Sequence, residues 1–159
     1  NGRKIKLISL DDGFSPPKAV EQTRRLVEQD NVLLMFGIVG TAANTAVAKY
    51  LNAQQVPQLF VATGSPKLGD VKTMPWTMPL HYSFDHEGAV FANYLRNTRP
   101  NAKVAILYQN DDFGKSIAAA FKRTLGDRAS MIVGEASFEL SDPTVDQQII
   151  SLQASGRTR

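Results

Sequence analysis

Apolar residues fall along this chain in two alternating patterns: short runs bounded by turn residues, and longer segments with helical spacing. Two short runs, Val32–Phe36 and Gln58–Val61, read as buried strands. Between them Ala43, Ala46, Val47, Tyr50 and Leu51 share one helical face. The stretch is therefore strand, helix, strand, with the strands parallel. Ahead of it, Ile5, Leu7, Ile8 and Leu10 predict a strand that follows the Asn1-Gly2 turn and ends at Asp11-Asp12-Gly13. A loop with Pro16-Pro17 leads into a helix over 18–29, with Ala19, Val20, Thr23, Leu26 and Val27 inward. After it, Pro75–Leu80 is extended, but its two prolines restrict it to an edge strand or a crossing segment.

The second half repeats the pattern. A helix over 86–96 is expected to bury Ala89, Val90, Tyr94 and Leu95. Val104–Tyr108 is a strand, Gln109–Gly114 the loop at its carboxyl end, and 115–125 a helix burying Ile117, Ala118 and Phe121, with Gly126 past its end. Met131–Phe138 is another strand. Asp142 as cap and Pro143 at the first position start a last helix with Val145, Ile149 and Leu152 inward. The βα repeat breaks once, at 66–85, so the halves read as the beginnings of two α/β sheets. A further strand is expected after the last helix, and the chain reads as incomplete.

Composition narrows the classes. At 159 residues the chain has material for one domain or two small ones. It has no cysteine, which excludes disulfides, thiolate metal sites and cysteine nucleophiles. The net charge is +3, and the basic residues (Arg24-Arg25, Lys122-Arg123, Arg157, Arg159) are dispersed over solvated surfaces. No basic stripe interleaved with aromatics points to nucleic acid. The least charged run, Asn31 to Ala48, contains a helix start and is not a membrane span. The chain opens on Asn1 rather than Met, as cleavage products and excised fragments do.

Two polar clusters carry the candidate chemistry. Gly37, Gly40 and Thr41 follow the first strand of the central unit, and Ala62-Thr63-Gly64-Ser65 follow the second. Ligands of open α/β sheets bind outside the carboxyl ends of strands. Glycines there admit a ligand to the backbone, and a helix start favours an anion such as a carboxylate. The competing reading is of ordinary turns and caps. Phe113, at the carboxyl end of Val104–Tyr108, either covers an apolar part of a ligand or simply shields the next helix start.

Other constellations fall away. Asp11-Asp12 lacks the third carboxylate of a Mg²⁺ pocket, because the neighbouring strand ends in Phe36-Gly37-Ile38. Gly114-Lys115-Ser116 lacks the earlier glycine of a phosphate loop, since position 109 is Gln. His81 and His86 have no zinc spacing and read as surface residues. No Gly-x-Ser-x-Gly elbow occurs, and Trp76 reads as a packing residue.

Taken together, several segments resemble the branched-chain amino acid (Leu/Ile/Val-binding) family of periplasmic substrate-binding proteins of ABC transporters. They are Asn1–Ile5, Asp11-Asp12, Pro17–Val20, Gly37–Thr41, Pro57–Gly64, Tyr108–Gly114 and Asp142-Pro143, and they cover nearly the whole chain in order. The resemblance implies a type I periplasmic-binding fold: two three-layer αβα lobes with parallel sheets, a hinge, and the ligand between the lobes. Residues 1–80 would be part of the first lobe, 81–85 the hinge, and 86–159 part of the second. By the same resemblance, Thr41 falls at the family's ligand-binding hydroxyl. Ala62, Thr63 and Gly64 fall where the family holds an amino acid's charged groups, and Phe113 falls where a tyrosine commonly lines the site. The family's hydroxyl-rich run is here Thr41-Ala42-Ala43, with Ala42 in a lining position. The implied ligand class therefore extends from branched-chain amino acids to aromatic and other organic carboxylates. The family's acidic partner for the ammonium group lies outside this chain. The function implied is extracytoplasmic, periplasmic capture of a small carboxylate and delivery to an ABC permease. That protein would be a monomer, with no catalysis, cofactor, metal or nucleic acid. A ligand sensor of the same fold, controlling a signalling or transcription partner, is the alternative. An α/β enzyme of flavodoxin or receiver type is disfavoured by the missing acid cluster.

Overall fold

A computed structural model describes residues 2–157; Asn1 of the expected opening turn, the side chain of Arg157, and Arg159 lie outside them. The chain divides into two compact units, Asn1–His81 and Tyr82–Arg159.

In the first unit, α1 (Pro16–Glu28) starts on two prolines, whose fixed φ suits a first helical turn, and buries Ala19, Thr23 and Leu26. Then come β1 (Met35–Phe36), α2 (Thr41–Ala53), β2 (Gln58–Val61) and β3 (Thr77–Pro79). The strands form one parallel sheet in the order β1-β2-β3. Its register aligns Met35, Gln58 and Thr77 in one row, and Phe36, Leu59 and Met78 in the next. The first row is buried; in the second, Phe36 and Met78 are exposed. Met35 joins Ala19, Leu26, Ala43, Val47 and Leu51 in the apolar core. Full burial of a residue such as Val47 or Leu51 is worth about 1.5–3 kcal/mol.

β2 carries a bulge between Leu59 and Val61. Phe60, at φ +53°, is the extra residue, and its ring meets Phe36 edge to face at 5.4 Å. A bulge resets the in–out alternation of a strand. Here it returns Val61 to the buried side, and Thr63, two residues on, follows it.

In the second unit, α3 (Phe84–Thr98), β4 (Val104–Gln109), α4 (Asp112–Leu125), β5 (Ile132–Phe138) and α5 (Asp146–Arg157) follow in order, with β4 and β5 parallel. The register slips between Val104 and Ala105, so Ile132 and Gly134 lie on opposite faces. Val104, Ile106 and Ile132 pack on Ala92, Phe121 and Leu125. On the other face, a Cβ at Gly134 would meet Ser155 and Leu152 of α5. Gly88 brings α3 against α4 at Ala120 and Phe121. Lys122 pairs with Glu135 at 2.8 Å, and Arg123 with Asp85 at 2.6 Å.

Several expectations need correction. Residues 5–10 are not a strand: Ile8 and Leu10 pack on the core, but Ile5 and Leu7 are exposed and no ladder forms. Neighbouring β1 is paired on its β2 side and is only two residues long. Leu33 is likewise exposed ahead of it. In α2, Ala46 faces solvent, whereas Asn44 and Ala48 are buried. Tight packing at Gly88 turns α3 so that Phe84, Gly88 and Ala92 are inward, leaving Val90 and Tyr94 exposed. In α4, Ile117 is half-buried, and the helix begins three residues early. α5 begins at Asp146, because the Asp142 carboxylate accepts from the Glu139 N–H instead of capping a helix; Ile149 is 41% exposed. Trp76 is 38% exposed, its backbone N–H donating to Asn52 Oδ1.

Candidate strand-end site

The two polar clusters of the first unit are brought together. Ala62 N–H donates to Ile38 O at 2.9 Å, and Gly40 N–H donates to Ala62 O at 3.3 Å, so the chain after β1 lies beside the chain after β2. Gly37 (φ +66°) and Gly40 (φ +96°) make the turn between them, in backbone conformations that side chains disfavour. α2 then starts at Thr41, with Gly40 as its cap residue and no side chain capping it. The first-turn N–H groups of Thr41, Ala42 and Ala43 therefore have no intrahelical acceptor. Thr41 Oγ1 lies 2.7 Å from Thr63 Oγ1, both residues being buried. Thr63 Oγ1 also accepts from Ser65 N–H at 3.2 Å. Two hydroxyls bring two protons and their mutual bond uses one, leaving one to donate elsewhere.

Of the residues singled out from sequence, Thr41, Ala42, Ala62, Thr63 and Gly64 thus gather at one sheet edge. Ala42 is exposed, Ala62 half-buried and Gly64 buried. Phe113 belongs to the other unit. It stands inside the first turn of α4, not in a loop, because Asp111 caps that turn by accepting from Gly114 N–H at 3.1 Å. Its ring meets Phe84 edge to face at 5.3 Å and is 40% exposed.

Two features were not anticipated. Phe14, in a left-handed conformation (φ +56°), lays its ring against Gly40: a Cβ there would come within 2.8 Å of Phe14 Cε2. The preceding aspartates shape that turn, since Asp11 Oδ1 accepts from Gly13 N–H and Asp12 Oδ1 from Phe14 N–H. Behind the turn runs a buried hydrogen-bond chain through Asn44, Gln58, Thr77 and Asn52. Asn44 and Gln58 are completely buried, and no buried side-chain polar atom among the described residues lacks a partner. Gln58 opens the otherwise apolar run of β2, and a polar side chain in such a run is the sequence signal for this hydrogen-bond chain.

The electrostatics of this edge come from neutral dipoles: amides, hydroxyls and a helix start. Among the described residues no group of three or more His, Cys, Asp or Glu gathers, and His81 and His86 are exposed. No described helix is long and apolar enough to cross a membrane. Neutral N–H and O–H donors beside a helix start favour an anionic group.

The profile of the periplasmic binding protein family matches residues 1–157, and the chain belongs to that family. A curated relative, an amino acid binding protein of Pseudomonas aeruginosa PAO1, is 22% identical over 156 residues, covering 98% of this chain and 41% of its own length. Among solved structures, a substrate-binding periplasmic protein from Ralstonia solanacearum is 27% identical with a TM-score of 0.84, covering 97% of this chain and 43% of that one. A solute-binding protein of an ABC transporter from Rhodopseudomonas palustris BisB5, in complex with 3,4-dihydroxybenzoic acid, is 21% identical with a TM-score of 0.83, covering 98% and 42%. The parallel α/β units are those of the type I periplasmic-binding fold, and the chain spans less than half the length of these relatives.

Proposed function

We propose that this chain forms part of an extracytoplasmic solute-binding protein that captures a small organic carboxylate for the membrane permease of an ABC importer. The observation that carries this reading is the Thr41–Thr63 hydroxyl pair beside the uncapped start of α2. In it, the carboxylate takes the free first-turn amides, reached at exposed Ala42, and the surplus hydroxyl proton; Ala62 and Gly64 line the approach. Phe14 offers an apolar wall beside Gly40, which suits an aliphatic or aromatic body on the ligand. Phe113, partly exposed in the first turn of α4, is proposed as a ligand-lining residue of the second unit. Residues 1–80 and 86–159 are assigned to two ligand-holding lobes and 81–85 to their crossover, and the protein binds without turnover, as a monomer. The names of the relatives, one an amino acid binding protein and one holding an aromatic acid, support both ligand classes.

A thermal-shift screen of the full-length protein tests the reading, with aliphatic amino acids, aromatic carboxylates, dicarboxylates and the matching primary amides. A carboxylate present at a hundred times its Kd adds about 2.7 kcal/mol of stability. Selective stabilisation by one carboxylate class is expected, and no shift with any carboxylate would overturn the proposal.

A further inference from the structure

The buried chain behind the strand-end turn has a single direction. Trp76 N–H donates to Asn52 Oδ1 at 2.9 Å, and Asn52 Nδ2 donates to Thr77 Oγ1 at 2.8 Å. The Thr77 hydroxyl donates to Gln58 Oε1 at 3.2 Å, and Gln58 Nε2 donates to Asn44 Oδ1 at 2.8 Å. Asn44 Nδ2 then donates to both Ile38 O and Gly40 O, each at 2.8 Å. The bonds run head to tail, because each amide oxygen that accepts leaves its own nitrogen to donate onward, and the Asn44 amide is also oriented by the two carbonyls it donates to. Bonds arranged head to tail in a low-dielectric interior polarise and strengthen one another.

The two carbonyls at the end of this chain are the ones that define the site. Ile38 O also accepts from Ala62 N–H, the bond joining the two polar clusters, and Gly40 O also accepts from Asn44 N–H. Asn44 therefore holds both ends of the Ile38–Gly40 turn, immediately before Thr41. Glycine at φ +96° has wide conformational freedom, and the preceding glycine at φ +66° adds more. Without the Asn44 carboxamide, the Gly40 carbonyl is held only by the first turn of α2, among the described residues.

We propose that Asn44 is a positioning residue for the strand-end site: it pins the Ile38 and Gly40 carbonyls, and so fixes where Thr41 and the open amides of α2 meet Thr63. Its effect on ligand affinity rests on the solute-binding reading above; its effect on the turn does not. Thr77→Val serves as the control, since it breaks the same hydrogen-bond chain at a distance from the turn.

The test compares Asn44→Leu and Asn44→Asp with Thr77→Val in the full-length protein. Asn44→Asp keeps the shape but presents oxygens to both carbonyls. The first readout is amide hydrogen exchange at Gly40 and Ala62 by NMR, corrected for each variant's global stability. Protection there is expected to fall about tenfold or more in either Asn44 variant, and to stay within about twofold in Thr77→Val. The second readout is affinity for the carboxylate that most stabilises the wild type, with the same ordering expected. Equal exchange in Asn44 and Thr77 variants would reduce Asn44 to core packing and overturn the proposal. A wild type that binds no carboxylate would overturn the functional reading alone, because the exchange comparison needs no ligand.

Discussion

Thr41 Oγ1 sits 2.7 Å from Thr63 Oγ1, so one buried hydrogen bond joins the start of α2 to the chain leaving β2. The two halves of this bond are unequal. Thr63 Oγ1 also accepts from Ser65 N–H, whereas Thr41 Oγ1 bonds to Thr63 alone among the described residues. Thr41→Val therefore removes one bond and leaves Thr63 partly satisfied, at a cost of about 1 kcal/mol. Thr63→Val strands both the Thr41 hydroxyl and the Ser65 amide, at about 2–3 kcal/mol. Denaturant unfolding of both variants checks the order, and a larger loss in Thr41→Val would contradict it.

Gln58 is completely buried in the middle of the sheet, which makes Gln58→Leu a test of whether the polar chain outweighs apolar burial. Leucine fills a similar volume and suits a core, yet it leaves Asn44 Oδ1 without its donor and the Thr77 hydroxyl without its acceptor. Unsatisfied buried groups cost about 1–3 kcal/mol, so the variant is expected to be less stable by about 2 kcal/mol. An unchanged or raised midpoint of unfolding would count against the network.

Gly88 separates helix propensity from packing. Alanine is favoured over glycine in a helix by about 1 kcal/mol. At Gly88, however, its Cβ would lie 2.6 Å from Ala120 Cβ and 2.7 Å from Phe121 N. Overpacking of this kind costs about 1–3 kcal/mol, and much of the clash is with backbone that cannot rotate away. Gly88→Ala is therefore expected to lower the thermal midpoint, and an increase would show that α3 and α4 have room to separate.

Tyr50 gives a pH signature. Burial raises its phenol above the ordinary value of 10.0, helped by its hydrogen bond to Glu28 and that carboxylate's charge, with Arg24 opposing. The folded state therefore holds this proton more tightly than the unfolded chain. The stabilisation is complete below about pH 10 and is lost as pH rises through the folded value. The stability gap between wild type and Tyr50→Phe should hold up to about pH 9 and narrow as the pH rises above about 10. A gap that widens with pH would reverse the sign.

The regular part of the fold was legible because burial follows period. Ala43, Val47 and Leu51 in α2, and Ala118 and Phe121 in α4, lie on the faces their spacing indicates. Strand ends were legible for a related reason: glycines and small hydroxyl residues after apolar runs mark where a sheet edge opens, and Thr41 and Thr63 do meet there. What failed depended on a partner remote in sequence. Residues 5–10 carry apolar side chains enough for a strand, but only Ile8 and Leu10 pack on the core and no ladder forms. Gln58 and Asn44 are disfavoured in a core one at a time and favourable together. Gly88 chooses the packed face of α3 through its missing side chain, which no hydrophobic pattern records. Phe14 was hidden by a left-handed backbone set by two aspartate turns, for which Asp11-Asp12-Gly13 was the available signal.

Isothermal titration measures the central claim most directly. The carboxylate that most stabilises the full-length protein, and its primary amide, are titrated into wild type and Thr63→Val at a temperature where both are folded. Tight binding of the carboxylate to wild type is expected, with the amide at least about tenfold weaker and the Thr63→Val affinity lowered by about tenfold or more. Equal affinity of carboxylate and amide, or undiminished affinity in Thr63→Val, would contradict a carboxylate site at the strand ends.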